Sequence, residues 1–158
     1  MGKNSTNSKG VRLPTPAQLI RSDLECVART KLPINHCAEM LTRTLRSVLA
    51  LEPCLPYAIW ADEQVVGFAL IDIDEDIQQY MLWRFMIGQE FQGKGYGQAA
   101  LEVVIAMAQS HPVCDHLIAA YVKGNQKMAH LLEKNNFVLD SEEERELVFR
   151  LETPGVQL

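Results

Sequence analysis

Three glycines at alternate positions, Gly93, Gly95 and Gly97, separate a stretch rich in aromatic and branched residues from a long apolar one, with Gln92, Lys94, Tyr96 and Gln98 interleaved. Glycine permits positive φ and lets a ligand approach the main chain closely. A helix beginning at such a turn presents first-turn N–H groups without intrahelical partners and the positive end of its dipole. Phosphate is the group this arrangement binds. Two nucleotide patterns come close, and each fails at a required residue. G-x-G-x-x-G fits Gly93 and Gly95 but needs a glycine where Gln98 stands. The Walker A pattern fits Gly88, Gly93 and Lys94, but Gly95 occupies the position of the hydroxyl that holds Mg²⁺.

Gln92, Gly95 and Gly97 fit Q-x-x-G-x-G instead, and a second segment follows at the matching distance. Asn125, Leu131, Glu133, Lys134 and Phe137 fall in register with N-x-x-A-x-x-L-Y-x-x-x-G-F, with Met128 in place of the alanine. Together these segments resemble the GNAT superfamily of acetyl-CoA-dependent N-acetyltransferases, over roughly residues 57–152. The resemblance implies an α/β (α+β) fold, a mostly antiparallel mixed sheet of about six to seven strands flanked by about four helices. It implies acetyl-CoA as cosubstrate, held where the central strands splay. Main-chain groups of Met86 and Ile87 would pair with the pantetheine arm, since amides freed by the splay need partners. Gln92, Gly93, Lys94, Gly95, Tyr96, Gly97 and Gln98 would hold the pyrophosphate, with Asn125 completing the cofactor-binding set. Lys94 contributes either its charge or its backbone alone.

The implied reaction is attack of an uncharged amine on the acetyl thioester. A backbone N–H near Ile87 can stabilise the oxyanion. The acid and base are where this chain departs from the family. Leu132 stands at the usual tyrosine position and cannot donate a proton, which leaves Tyr121 and His130 as candidate catalytic residues by proximity. A thiol pKa near 8.5 also lets thiolate depart unassisted. The strand from Tyr80 to Ile87 carries no acidic residue, so the amine loses its proton through water, through Glu90, or because a neighbouring cationic nitrogen lowers its pKa. Arg84-Phe85 together with Gln92-Gly-Lys-Gly95 is similar to the small bacterial spermidine/spermine acetyltransferase group, which implies a polyamine acceptor. Asn136, at the usual glycine position, tolerates the left-handed conformation. A non-catalytic acyl-CoA-binding domain and a P-loop protein are the two competing readings.

The elements that must position these residues follow from periodicity. Val11 to Leu13 reads as a short strand; helices are expected over residues 16–29, capped by Thr15, and from about residue 35 to 51, where Met40, Leu41, Leu45, Val48 and Leu49 recur at helical spacing. In the resemblance these two helices wall the acceptor site. From Pro56 the period falls to 2: Tyr57 to Trp60 and Val65 to Asp72 form a hairpin, the acidic run Asp72 to Asp76 a turn, and Gln79 to Ile87 a third strand. That acidic run either attracts a cationic acceptor or is a solvated turn. The residues from Tyr96 or Gly97 to Gln109 are apolar nearly all round and predict a buried helix. A strand over His116 to Val122, a helix over Gln126 to Lys134 capped by Asn125, and a final pair at Val138 to Asp140 and Leu147 to Leu151 complete the domain. The expected layout is a polar tail over residues 1–10, one domain over 11–152, and a loose tail from Thr153.

Composition fits one globular domain: 158 residues, 47% hydrophobic and 22% charged, with a net charge of −5. Mild acidity argues against a nucleic-acid surface and is compatible with a small-molecule amine substrate. Cys26, Cys37, Cys54 and Cys114 lack C-x-x-C spacing, and the four histidines lack ligand spacing, so no metal is expected. The absence of a long apolar run and of a secretory h-region points to a cytoplasmic protein without a membrane span. A homodimer is compatible with all of this.

Overall fold

The computed structural model describes residues 5–6, 12–13, 55–61 and 64–153. The helices expected over residues 16–29 and 35–51 lie outside the described residues. The chain divides into two compact units, Met1–Ile71 with Arg84–Val103, and Asp72–Trp83 with Val104–Leu158.

The first unit contains an antiparallel series of strands. β1 (Ser5–Thr6) pairs with β2 (Arg12–Leu13), Arg12 pairs with Trp60 of β3 (Leu55–Ala61), and β3 pairs with β4 (Gln64–Asp74) from Leu55↔Ile71 to Ala61↔Gln64. Tyr57, Ile59, Val66, Phe68 and Ile71 are almost wholly buried and form its core. Burying side chains of this kind is the main favourable term in folding.

β4 runs two residues further than the sequence pattern indicates. Asp74 explains it: its carboxylate accepts from the N–H groups of Asp76 (3.0 Å) and Ile77 (3.3 Å) and so defines where the strand turns. Gln78 closes that turn with φ +56°. At least one acid of the run is therefore engaged in turn formation.

In the second unit, the first residues of β5 (Gln79–Ile87) lie parallel to β6 (His116–Val122), from Gln79↔His116 to Leu82↔Ala119. Two strands joined through a helical crossover pair in this way. β8 (Glu146–Glu152) is antiparallel to β6 and to β7 (Val138–Glu142). β6 reads His-Leu-Ile-Ala-Ala-Tyr-Val and is buried over most of its length, as a strand paired on both sides should be. Thr153, the first residue of the expected loose tail, is fully buried, its N–H donates to Asp115 C=O (2.7 Å), and its hydroxyl contacts Cys114 Sγ (3.4 Å); the rest of that tail lies outside the described residues.

Helix α1 (Tyr96–Ser110) buries Ala99, Ala100, Leu101, Val103, Val104 and Ala108, while Glu102, Ala106 and Gln109 are exposed. Its burial is thus one-sided, narrower than its composition predicts. α2 (Gln126–Lys134) starts on Asn125, whose side chain accepts from Met128 N–H at 3.1 Å. It ends in a Schellman arrangement: Phe137 N–H reaches Leu132 C=O (3.1 Å), Asn136 N–H reaches Glu133 C=O (3.0 Å), and Asn136 has φ +65°.

Asn136→Val should lose about 1–2 kcal/mol in chemical denaturation, because a branched Cβ is disfavoured in that conformation. Asn136→Gly should stay within about 0.5 kcal/mol of the parent. A pH effect arises at Tyr80, buried edge-on against His111 (centroids 5.3 Å apart), whose phenol is pushed from 10.0 up to about 12 by burial first, then by Cys114 and Glu75. The folded chain holds this proton more tightly than the unfolded chain. Its stabilising contribution is complete below pH 10 and is lost as pH rises toward 12. Unfolding free energies measured across that window should fall less steeply in Tyr80→Phe than in the parent.

Candidate functional site

The chemistry-bearing segment of the first unit is built in four steps. β5 ends against β4: Gly88 N–H donates to Val66 C=O at 2.8 Å, and the Met86 carbonyl oxygen occupies the space that a Cβ on Gly67 would fill. A single 3₁₀ turn, Gln89–Phe91, follows, closed by Phe91 N–H to Gly88 C=O (2.8 Å) and Gln92 N–H to Gln89 C=O (3.3 Å). The Gln92 side chain then reaches back, its Nε2 donating to Ile87 C=O at 3.0 Å. Gly93 and Gly95 take φ +74° and +85°, and Gly97 lies inside the helix.

The helix opens on Gly95, whose C=O accepts the first intrahelical bond from Ala99 N–H (3.1 Å). The amides of Tyr96, Gly97 and Gln98 form the first turn of this helix, at the positive end of its dipole. No acidic side chain stands in this first turn. The Gln98 amide holds the Glu102 carboxylate one turn along, Nε2 to Oε1 at 2.9 Å. Gln92, Gly93 and Lys94 are exposed, and Lys94 Nζ sits 5.9 Å from the Phe91 ring centroid. A Cβ on Gly93 would meet nothing within 4 Å. Open backbone, aligned donors and an adjacent cation fit a pyrophosphate.

Met86, Ile87 and Gln92 through Gln98 thus form one continuous stretch of the first unit, whereas Tyr121, Asn125 and His130 belong to the second. Tyr121 is 8% exposed and stacks on Phe149, with centroids 5.5 Å and planes 25° apart. Its phenol is raised above the ordinary value, chiefly by burial and then by the Glu133 charge. His130 is exposed on α2, and Asn125 spends its side-chain oxygen on the cap. Leu132 is fully buried. Among the described residues, no group of three or more His, Cys, Asp or Glu side chains could hold a metal ion, and no helix is long and apolar enough to cross a membrane.

Two positioning features escaped the sequence reading. One is the Gln92 side chain as a brace; nothing in the spacing distinguishes it from a ligand contact. The other is Gly67, for which a signal existed, because a lone glycine inside a strand pattern marks a close backbone approach.

The sequence matches the acetyltransferase (GNAT) domain over residues 13–138, and the chain belongs to that family. No curated protein matches it in sequence. Among solved structures, the fold is similar to RimL, a ribosomal L7/L12 alpha-N-protein acetyltransferase in complex with coenzyme A, at TM-score 0.67 and 12% identity over 94% of this chain and 96% of that one. It is also similar to the Campylobacter jejuni N-acetyltransferase PseH in complex with acetyl-CoA, at TM-score 0.61 and 18% identity over 90% and 98% of the two chains. The chain is an acetyl-CoA-dependent N-acetyltransferase with the GNAT fold.

Leu132, which the resemblance puts in register with the tyrosine of the motif, is core, so a tyrosine introduced there should not act as an acid. Leu132→Tyr is expected to lower stability by about 1–3 kcal/mol through overpacking, read by urea denaturation, without raising kcat.

Proposed function

We propose that the chain transfers the acetyl group of acetyl-CoA to a primary amine of a small cationic acceptor, a polyamine such as spermidine or spermine, in the cytoplasm. The stretch from Gln92 to Gln98 carries the cofactor half of this reading: positive-φ glycines, leading amides and a first turn free of carboxylates. The acceptor half rests on Arg84-Phe85 and the Gln92-Gly-Lys-Gly95 run.

The first-turn amides and Lys94 bind the pyrophosphate, while the pantetheine runs along the end of β5. There it passes the main chain of Met86 and Ile87, with the Met86 carbonyl turned onto Gly67 and the Ile87 carbonyl accepting from Gln92 Nε2. The acceptor nitrogen attacks the thioester carbon, the Ile87 N–H stabilises the oxygen as it becomes negative, and the C–S bond breaks to release CoA thiolate. The ammonium proton leaves through water or Glu90. Tyr121 and His130 remain the two donors to test. Thiolate departure without a protein acid is the alternative, since a thiol pKa near 8.5 makes thiolate a tolerable leaving group.

A protein N-terminal amine is the second reading, favoured by the likeness to RimL. Thermal unfolding with acetyl-CoA, CoA and Mg-ATP tests the cofactor half. A ligand at about 100 times its Kd adds about 2.7 kcal/mol to the native state, so both CoA species should raise Tm and Mg-ATP should not. No shift with either CoA species overturns the reading. A thiol-release assay with spermidine, spermine and a short peptide bearing a free α-amine then decides between acceptors. Tyr121→Phe and His130→Ala should keep kcat within about threefold, and a loss of about 10²-fold or more in either would identify the acid.

A further inference from the structure

The end of β5 is held in an unusual way. The Met86 carbonyl oxygen overlaps the position of a Cβ on Gly67, and that Cβ would also lie 3.0 Å from both Ile87 Cα and Ile87 Cδ1. A Cβ would come well inside 3.0 Å of that carbonyl oxygen, an approach that real side chains do not make. Gly67 is therefore the one residue type in β4 that admits this path for β5. One residue along, Gly88 N–H is tied to Val66 C=O, and the Ile87 carbonyl accepts from Gln92 Nε2 instead. The N–H and C=O of one strand residue leave from the same edge, and successive residues alternate. With the neighbouring Gly88 amide directed at β4, Ile87 presents its amide to the opposite edge.

We infer that Gly67 is a positioning residue for acetyl transfer: the missing side chain fixes the Met86–Ile87 backbone so that the Ile87 N–H is aimed at the developing oxyanion. The inference rests on the acetyltransferase reading above. It adds that the orientation of this amide is set from β4, by a residue with no side chain and no contact with the reacting atoms. A preorganised donor is effective only while its direction is held. A methyl group at position 67 displaces β5 at that point.

The test compares Gly67→Ala with the parent by steady-state kinetics and by CoA titration. We expect kcat to fall at least tenfold. The dissociation constant of CoA, set mainly in the Gly93 to Gln98 loop, should change less than about threefold. Equal kcat values, or kcat and CoA affinity falling together with Tm, overturn the inference. Ile87→Val removes Cδ1 but leaves the Met86 carbonyl in place, so it separates packing from backbone placement. Against Ile87→Val as reference, the Gly67→Ala defect in kcat should persist; rescue would reduce Gly67 to a packing role. Should Gly67→Ala fail to fold, the parent supplies the answer by NMR. The Ile87 amide resonance should move with acetyl-CoA and markedly less with CoA, which lacks the carbonyl; equal shifts overturn the inference. Failure of the parent to bind either CoA species would instead defeat the acetyltransferase reading itself.

Discussion

The site depends on how β5 is brought to its end against β4. One hydrogen bond, Gly88 N–H to Val66 C=O, and one missing methyl group, at Gly67, fix the last residues of the strand. Everything after them is placed by short connections. The 3₁₀ turn is only three residues long, and Gln92 links the start of the glycine loop to the Ile87 carbonyl. Strand end and helix start are thus joined by one short turn and one side-chain hydrogen bond. That closeness along the chain matters because the amide proposed to meet the oxyanion and the amides proposed to meet the pyrophosphate lie on opposite sides of this one loop. Catalysis by fixed dipoles requires both sets to be in place before the substrate arrives.

The anion site must also operate within an acidic chain of net charge −5. Exposed charges more than about 10 Å away are largely screened at ordinary ionic strength, so the local arrangement decides. On the helix itself, the carboxylate is set back. The first turn of α1 has none, and the nearest on that helix, Glu102, is held by the Gln98 amide. The only charged residue of the glycine loop is a lysine, kept beside Phe91. Main-chain donors add no net charge and cannot be titrated away, so a mildly acidic protein can bind a polyphosphate without a basic patch.

The strand, turn and helix around the glycines were legible because their signals are local: positive φ demands glycine, and periods of 2 and 3.6 distinguish strand from helix. The cap at Asn125 and the left-handed Asn136 were legible for the same reason. What could not be read depends on partners distant in sequence. Thr153 is anchored by Cys114 and Asp115, nearly forty residues earlier. The one-sided burial of α1 reflects which face finds a neighbour, which an almost uniformly apolar composition does not encode. Gly67 was visible as an isolated strand glycine, but the carbonyl that requires it lies nineteen residues later, at Met86. The function of Gln92 lies between: its type was recognised within the motif, but its side chain serves the protein's own backbone.

The departures from the family pattern bear on which step the chain must assist. Position 132 is a buried leucine with no proton to give, and thiolate with a pKa near 8.5 is a tolerable leaving group without a donor there. Deprotonating the acceptor is harder. A lysine-like amine has a pKa of about 10.4, so near neutrality only about one molecule in 10³ is nucleophilic, whereas an α-amine at about 7.7–8.0 is far closer to balance. β5 supplies no carboxylate to make up that difference. A chain so equipped gains most from acceptors whose own pKa is already low, either an α-amine or a polyamine nitrogen depressed by a second cationic nitrogen nearby. It loses most from any error in the aim of the Ile87 amide, because the proposed mechanism assigns the developing oxyanion to that amide.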